Sequence, residues 1–359
     1  MGFADLFSSI APKPASSNRV VGIDIGSSSM KVVELQNRNN VVTLTTYGEL
    51  QLGPYDEEKS VGESVVLSPS VERQALVDVL RESAVKARSA VFAMPLSSSF
   101  VTTMTLLADP KEDISPRVRV EARKYIPVPI GEVTLDWAEV DMRAVDQKKS
   151  RDVLLAAIQN DALKRFNSLL QTVEFVNSPT EIECFSAIRS LYAEEETDIA
   201  IIDVGAVSMK MYIVRNGLLQ RMYRVRAGGT IFTEKMASEL ACSFEEAEIL
   251  KRTITSDHPK YPVFQKNHNA SYDRVLKEFR QVIEEYEGRA GVQISQISVI
   301  GGGSLFAGFD TIVQNYLERP VVFAQPFNKV AYPAFMEDTM NEIGPTFAVA
   351  LGAALRSFE

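Results

Sequence analysis

The chain has 359 residues and a formal net charge of −9, with 45% hydrophobic and 24% charged residues. This composition is that of a soluble globular protein with more than one domain, and the negative charge argues against general binding to nucleic acid or anionic lipid. Two cysteines and two histidines are too few for a disulfide framework or for a metal cluster built from these residue types.

The first residues carry an apolar stripe. Phe3, Leu6, Phe7 and Ile10 follow the spacing of one helix face and precede a flexible tether at residues 12–17. The stripe predicts either docking to a membrane or partner, or a terminus that frays or packs on its own domain. Because a signal peptide and an apolar run of ~20 residues are both absent, we expect a cytoplasmic protein.

An internal repeat is the most informative feature. The sequence IDIGSSSMK at residues 23–31 reappears as IDVGAVSMK at residues 202–210. Each copy follows a β-branched run and precedes an apolar segment and a turn, which in the second copy is Asn216-Gly217, a type I′ hairpin signal. Two strand–loop–strand–turn–strand units predict a duplicated α/β core whose loops face each other.

The residue types in both loops suit a nucleotide. Gly26 and Gly205 let the backbone approach a phosphate, and small hydroxyl side chains and backbone N–H groups donate to its oxygens. Lys31 adds positive charge. Asp24 and Asp203, at the ends of buried strands, are suited to hold Mg²⁺ through its water shell.

The middle of the first half reads as a small β-rich unit with two helices. Residues 100–106 predict a strand, and Ser115 and Pro116 suit the N-cap and first turn of a helix that runs through Tyr125. Two further strands are predicted near residues 133–140 and 153–158, followed by a helix at 161–171.

A third glycine cluster, GGGS at residues 301–304, follows a strand-like run and precedes a predicted apolar helix at 305–316. The exposed backbone there suits contact with an adenosine. The cluster lacks the Gly-Lys-Ser/Thr of a Walker A loop, and its late position does not suit a dinucleotide fingerprint.

Tandem phosphate loops with a late glycine-rich loop resemble the superfamily of actin, sugar kinases and heat-shock ATPases. Within it, VGIDIGSSSMKVVEL at residues 21–35 resembles the opening of the PilM family of type IV pilus assembly proteins. EARKYIPVPIGEV at 121–133 and RSFE at 356–359 are similar to its extra subdomain and its C-terminal end. The resemblance extends from about residue 20 to the last residue and is loose around 52–68 and 253–270.

The resemblance implies an actin-like α/β fold with two large domains and an FtsA-like inserted subdomain in the first half. A flexible segment at 1–18 would precede a first domain at 19–180, whose inserted interaction subdomain spans about 97–172. A second domain at 181–359 would include an upper subdomain at about 230–295.

The resemblance also implies which residues bind ATP and Mg²⁺. The phosphate loops comprise Asp24, Gly26, Ser27, Ser28, Ser29 and Lys31 in the first and Asp203, Gly205 and Ala206 in the second. Around the rest of the nucleotide it implies Gly228, Gly229, Glu246, Glu248, Lys251, Gly302, Gly303 and Ser304.

Within this set, Glu246, Glu248 and Lys251 read equally well as an exposed charged helix face. Asp24 and Asp203 are the metal candidates. Together with Glu183, from which the superfamily orients water, they are also the catalytic candidates. Val207 stands where a small polar residue is commoner, which leaves the rate of hydrolysis open.

The implied function is a scaffold in which ATP closes the cleft and the closed form holds the N-terminal cytoplasmic peptide of a PilN-like inner-membrane protein. Tyr125, Ile126, Val128 and Ile130 are the expected peptide contacts, because neighbouring prolines hold this stretch extended. A plain structural connection is the alternative for this stretch.

Other pilus inner-membrane and motor components are further expected partners. Self-association and a role in the related type II secretion systems stay open. The alternative functions are FtsA-like membrane tethering in cell division, for which the printed sequence has no C-terminal amphipathic helix, and a small-molecule kinase, for which no acceptor-site signature is present.

Overall fold

The computed structural model describes residues 18–109, 111–140, 150–171, 173, 175–176, 178–192 and 198–358. The predicted N-terminal stripe and tether, and the last residue of the RSFE ending, lie outside these residues.

The first sheet has five strands in the order β3-β2-β1-β4-β8. Its strands are β1 (Arg19–Ile25), β2 (Ser29–Arg38), β3 (Val41–Gln51), β4 (Ser89–Met94) and β8 (Thr180–Ile182). β1 pairs antiparallel with β2 and parallel with β4, and its apolar residues are buried because both faces of the sheet are covered.

The second sheet repeats this arrangement in the order β11-β10-β9-β12-β13. Its strands are β9 (Asp198–Val204), β10 (Met209–Arg215), β11 (Leu218–Val225), β12 (Gln296–Ile300) and β13 (Val321–Phe323). Asp24 lies opposite Lys31 in the β1–β2 ladder, and Asp203 lies opposite Lys210 in the β9–β10 ladder. The predicted duplication is therefore present down to the register of the two motifs.

The predicted turns have the backbone that their residues favour. Asn216 and Gly217 both have positive φ, 49° and 74°, as a type I′ turn requires. Asn39 and Asn40 play the same part between β2 and β3, with φ of 54° and 65°. Asparagine tolerates this left-handed conformation better than most residues, which is why both hairpins close here.

Seven helices outside the inserted unit are described. They are α1 (Pro69–Glu82), α4 (Glu183–Leu191), α5 (Gly229–Leu240), α6 (Phe244–Thr253), α7 (Tyr261–Ala290), α8 (Phe309–Leu317) and α9 (Glu337–Leu355). α8 begins four residues later than predicted, because residues 302–304 form a 3-10 turn and Gly308, with a φ of 83°, stands directly before the helix. Among the described residues no helix is both long and apolar enough to cross a membrane.

The inserted unit is a three-stranded sheet with two helices, as the pattern predicts. It consists of β5 (Ser99–Leu107), α2 (Ser115–Glu121), β6 (Val133–Val140), β7 (Ser150–Gln159) and α3 (Asn160–Gln171), with sheet order β5-β7-β6. The N-cap of α2 is Ile114 rather than Ser115, whose hydroxyl instead donates to Asp113. The predicted helix through Tyr125 ends at Glu121 and continues only as a 3-10 turn to Lys124.

The insert sheet has two different faces because neighbouring strand residues point to opposite sides. Val153, Leu155 and Ala157 pack in a core with α2, whereas the alternate residues 154, 156 and 158 join the core of the first sheet together with α3. The α3 face is fastened to the first sheet by packed rings of Phe92 and Phe166, whose centroids are 4.9 Å apart.

Two helices connect the halves. α4 is buried along nearly its whole length, and its apolar residues share one core with residues of both large sheets. α9 packs on β1, β2 and α4 although it is the last helix of the chain. The approach is close, since a Cβ on Gly352 would lie 1.8 Å from the Ser186 carbonyl oxygen and one on Gly22 would lie 1.9 Å from that of Ala350.

Candidate functional site

The two repeated loops face one cavity of about 600 Å³ between the large sheets. A cavity of this size is typical of small-molecule and cofactor sites. The third glycine loop closes the same cavity, and the Gly301 N–H anchors it to α9 by donating to the Pro345 carbonyl at 2.8 Å. Most of the predicted nucleotide residues line the wall: Asp24, Gly26, Ser27, Ser28, Ser29, Lys31, Glu183, Asp203, Gly205, Ala206, Gly229, Glu248, Lys251, Gly302 and Gly303.

The two loops have the same local geometry. The Gly26 N–H donates to the Ser29 carbonyl at 2.9 Å, and the Gly205 N–H donates to the Ser208 carbonyl at 3.0 Å. In the described part of the chain the hydroxyls of Ser27 and Ser28 have no hydrogen-bond partner, so they are available to phosphate oxygens. Each loop is therefore a tight turn that presents its tip to the cavity.

Asp24 is the unpaired carboxylate of the two. Among the described residues its carboxylate has no hydrogen bond or close ion pair, and it lines the cavity. Burial raises the pKa of Asp24 to about 6, and Lys31 offsets this rise only in part. The Lys31 ammonium donates to the Ser29 hydroxyl at 2.8 Å and lies 3.7 Å from Glu49, so it remains at the cavity wall.

Asp203 has a different partner. The Lys210 ammonium lies 3.0 Å from Asp203 Oδ2 and 2.8 Å from Glu183 Oε2, and all three side chains are almost buried. Burial alone would lower the pKa of Lys210, but the Asp203 and Glu183 carboxylates outweigh it and raise the pKa. Lys210 therefore remains charged between two carboxylates of the cavity wall, beside the second repeated loop.

Sequence reasoning did not place Lys210 in the site, although the signal was present. Lys210 is the repeat partner of Lys31, which was placed there on the same evidence. Its contact with Glu183 depends on α4, and the repeat contains no information about that helix.

The carboxylates of Asp24 and Asp203 fit a Mg²⁺ ion held through water. Within the described residues no group of three or more His, Cys, Asp or Glu side chains forms a direct metal cage. Mg²⁺ does not need such a cage, because it keeps several waters and is bound by one or two carboxylates together with phosphates. Asp24 offers free oxygens for this role, whereas Asp203 Oδ2 already bonds Lys210.

On another part of the cavity wall, α5 and α6 form a charged network. The Lys251 ammonium bonds Glu248 at 2.5 Å and the Thr233 hydroxyl at 2.9 Å, and Arg252 bonds the second Glu248 oxygen at 2.9 Å. Burial works against the Glu248 charge, but Lys251 and these hydrogen bonds hold its pKa below the ordinary value. Glu248 and Lys251 are thus fixed wall residues rather than an exposed helix face.

Three predicted residues are not on the cavity wall. Glu246 is exposed and forms the capping box of α6 with Ser243, because its carboxylate accepts from the Ser243 backbone N–H at 2.8 Å. The Ser304 hydroxyl is buried and donates to the Gly301 carbonyl at 2.6 Å. Gly228 packs behind the second loop, where a Cβ would lie 2.3 Å from the Ala206 carbonyl oxygen.

The segment after β3 supplies wall residues that the sequence did not indicate. Gly62 and residues 65–67 line the cavity, and the Val65 N–H donates to the Ser27 carbonyl at 2.9 Å. A Cβ on Gly62 would lie 2.9 Å from the Glu248 side chain on the far side of the cleft. This segment therefore spans the cavity from the first loop to α6, in a region where the sequence had no recognisable motif.

The inserted unit is joined to the site at Leu96, directly before its first residues, and through α3. The Leu96 N–H donates to Glu183 Oε1 at 2.7 Å, and Arg224 on β11 approaches the Leu96 carbonyl at 3.5 Å. A second contact joins Arg165 on α3 to Glu72 on α1 through two hydrogen bonds of 2.6 and 3.1 Å. Both contacts are made by residues of the cavity wall or their direct neighbours.

The predicted peptide-contact stretch lies on the α2 face of the insert, away from the core shared with the first sheet. Tyr125 is 43% exposed, whereas Ile126 is only 5% exposed and packs in the core of the insert. Val128 and Ile130 are half-buried against the same core. Tyr125 is thus the member of the stretch that offers most surface to a partner.

The sequence and the fold of this chain are similar to those of known proteins. The family model described as type IV pilus assembly protein PilM matches residues 22–358. A solved structure described as a PilM-PilN type IV pilus biogenesis complex is 24% identical, with 96% of this chain and 100% of that chain covered and a TM-score of 0.79.

Two more distant structures share the fold. Ethanolamine utilization protein EutJ from Carboxydothermus hydrogenoformans is 15% identical, with 98% of this chain and 95% of that chain covered and a TM-score of 0.53. MreB 5 of Spiroplasma citri bound to AMPPNP is 11% identical, with 95% and 96% covered and a TM-score of 0.55. These matches confirm the predicted actin-like α/β fold.

Proposed function

Because the chain belongs to the PilM family of type IV pilus assembly proteins, we propose that it is an ATP-binding scaffold at the cytoplasmic face of the inner membrane. The observation that carries this proposal is the pair of repeat-related loops, which face each other across one cavity. ATP binds between them in this proposal, and the inserted unit holds a membrane partner.

The cavity supplies what a bound nucleotide needs. Serine hydroxyls and loop backbone meet the phosphates, Asp24 and Asp203 orient Mg²⁺ through water, and the fixed charges of Glu248 and Lys251 lie towards the nucleoside. A fold relative, MreB 5, carries AMPPNP in its solved structure. Nucleotide binding is the activity that these residues support best.

Hydrolysis in this proposal is slow and acts as a switch. Glu183 is the candidate for orienting water, but its two oxygens accept from the Leu96 N–H and from Lys210. A carboxylate held on both oxygens is poorly placed to orient an attacking water. A switch needs only that ATP binds one arrangement of the halves more tightly than another.

Leu96 connects the wall of the proposed nucleotide cavity to the start of the insert. Glu183 holds the backbone N–H of Leu96, Arg224 approaches its carbonyl, and β5 of the insert begins three residues later. A movement of α4 or β11 when the cleft closes therefore changes the position at which the insert starts. This is the physical basis that we propose for coupling between the two sites.

The proposed partner is the N-terminal cytoplasmic peptide of a PilN-like inner-membrane protein. The solved relative with a TM-score of 0.79 is named as a PilM-PilN complex. On this chain we propose Tyr125 as the principal contact, with Val128 and Ile130 beside it, because these side chains retain exposed surface. Other inner-membrane and motor components of the pilus, and self-association, belong to the same proposal.

Calorimetry with ATP and Mg²⁺ tests the nucleotide part. We expect Asp24→Asn to weaken binding by about five- to tenfold, because the substitution removes the free carboxylate that would hold Mg²⁺ beside the phosphates. Asp161→Asn is the matched control, since the Asp161 side chain is 95% exposed on the insert and lies outside the cavity wall. It should bind ATP as the wild type does.

Equal ATP affinity for the wild type and a folded Asp24→Asn protein would contradict the assignment of the ATP site to this cavity. Failure of the wild type to bind ATP at any concentration up to the millimolar range would remove the nucleotide from the proposed function.

A further inference from the structure

The aspartates of the two repeated motifs have different contacts with the lysines that face them. In the first, Lys31 faces Asp24 in the strand register but bonds Ser29 and lies near Glu49. In the second, Lys210 faces Asp203 in the same register and bonds it directly. The repeat is therefore symmetric in sequence and asymmetric in charge contacts.

Lys210 stands at a position that two carboxylates share. Its ammonium is 3.0 Å from Asp203 and 2.8 Å from Glu183, and its own side chain is 12% exposed, beside 8% and 9% for the two acids. Tyr212 adds a hydroxyl 3.5 Å from the same Asp203 oxygen. A positive charge in this place serves the same electrostatic purpose as a cation that bridges the two acids.

The neighbourhood explains why that charge matters for a nucleotide. Asp24, Asp203 and Glu183 place three carboxylates at the end of the cavity that would receive the phosphates. Without compensation they would repel a polyphosphate strongly, because charges interact more strongly in a partly buried site than in water. Lys31 is as buried as Lys210 and lowers the pKa of Asp24 without bonding it, whereas Lys210 bonds two of the three acids directly.

We propose that Lys210 is a built-in counter-ion of the nucleotide site, which clamps Asp203 and Glu183 and makes nucleotide binding only weakly dependent on Mg²⁺. The inference rests on the proposed function, because it concerns the same cavity. Asp24 is then the aspartate better placed for Mg²⁺, because Lys210 occupies one oxygen of Asp203, and Lys210 is a determinant of which form of the nucleotide, metal-free or metal-bound, the site accepts.

The test is calorimetric titration of AMPPNP in Mg²⁺ and in EDTA. For the wild type we expect removal of Mg²⁺ to weaken binding by about tenfold or less, whereas for Lys210→Met we expect about a hundredfold or more. The surface variant Lys277→Met is the matched control, because Lys277 is exposed on α7 and bonds only Asp273 within the described residues. It should reproduce the wild-type ratio.

A second variant keeps the test valid if Lys210→Met does not fold. Lys210→Gln also removes the positive charge, but its side-chain amide can still donate hydrogen bonds to the Asp203 and Glu183 carboxylates, so fewer of their oxygens are left without a partner in the protein interior. We expect removal of Mg²⁺ to weaken AMPPNP binding to Lys210→Gln by about a hundredfold, as for Lys210→Met, because both variants lose the same positive charge. A ratio equal to that of the wild type would contradict the role of Lys210.

The outcomes separate the inference from the proposed function. Strong binding by the wild type in Mg²⁺ that is lost by a hundredfold or more in EDTA would overturn the inference and leave the nucleotide site standing. Equal ratios for wild type and Lys210→Met would do the same. Absence of AMPPNP binding by the wild type in both conditions would overturn the proposed nucleotide function and the inference together.

Discussion

Single residues in this protein owe their properties to where the fold buries them. Asp24 gains a pKa of about 6 because burial raises its pKa by more than the charge of Lys31 lowers it. Asp203 occupies the equivalent position and is neutralised by Lys210. A carboxylate that lacks a partner gains most from an added cation, so nucleotide and metal binding should depend more on Asp24 than on its repeat partner.

Burial of His268 should make the free energy of unfolding decrease in acid. It lies within an aromatic cluster of α7 and its neighbours, and burial lowers its pKa from 6.5 to about 3. Because the unfolded chain binds a proton near pH 6.5 and the folded chain does not, stability is lost as the pH falls from about 6.5 towards 3. We expect His268→Phe to remove this part of the pH dependence.

Urea denaturation of both proteins at several pH values measures the effect. The difference in free energy of unfolding between wild type and His268→Phe should shift by about 3 kcal/mol in favour of the variant between pH 7 and pH 4. A constant offset contributed by packing of the larger ring does not change with pH. Parallel curves over the whole range would show that His268 is not buried as described.

At the scale of helices, the crossing of α4 and α9 depends on a glycine. A Cβ on Gly352 would lie 1.8 Å from the Ser186 carbonyl oxygen, so the helices must separate to accept it. We expect Gly352→Ala to destabilise the protein by about 2–3 kcal/mol. Gly288→Ala is the matched control within another helix, because a Cβ on Gly288 would meet no described atom within 4 Å.

Thermal or urea denaturation distinguishes the two alanines. Gly288→Ala should stabilise the protein by about 0.5–1 kcal/mol, since alanine is the better helix former at an open position. If Gly352→Ala also stabilised the protein, the close contact between α4 and α9 would be absent in solution.

Local elements were the most predictable part of the fold. The strand predicted at residues 100–106 and the helix predicted at 161–171 are present within one residue at each end, because apolar alternation and helical spacing are local properties. The start of α8 and the cap of α2 were predicted less well. Their positions depend on the conformation of Gly308 and on the contact of Ser115 with Asp113, and residue types alone do not determine these.

For the whole molecule, the repeat predicted the two sheets and the cavity between them, but not how the chain ties them together. α9 comes last in the sequence but packs on the first sheet. A domain boundary drawn near residue 180 therefore separates α9 from the sheet on which it packs. The Glu183–Lys210 contact and the Gly62 crossing join distant segments in the same way. Periodicity reports which residues are buried and carries no information about their partners across the molecule.

The measurement that tests the central claim is the titration of a fluorescent PilN-like N-terminal peptide with and without ATP and Mg²⁺. A nucleotide-dependent scaffold predicts a change in peptide affinity of at least about fivefold on adding ATP, and by linkage the same change in ATP affinity at saturating peptide. Tyr125→Ala should weaken peptide binding in both conditions, whereas Phe335→Ala, which removes an exposed ring elsewhere, should not. The same peptide affinity with and without ATP, or no peptide binding by the wild type, would contradict the account.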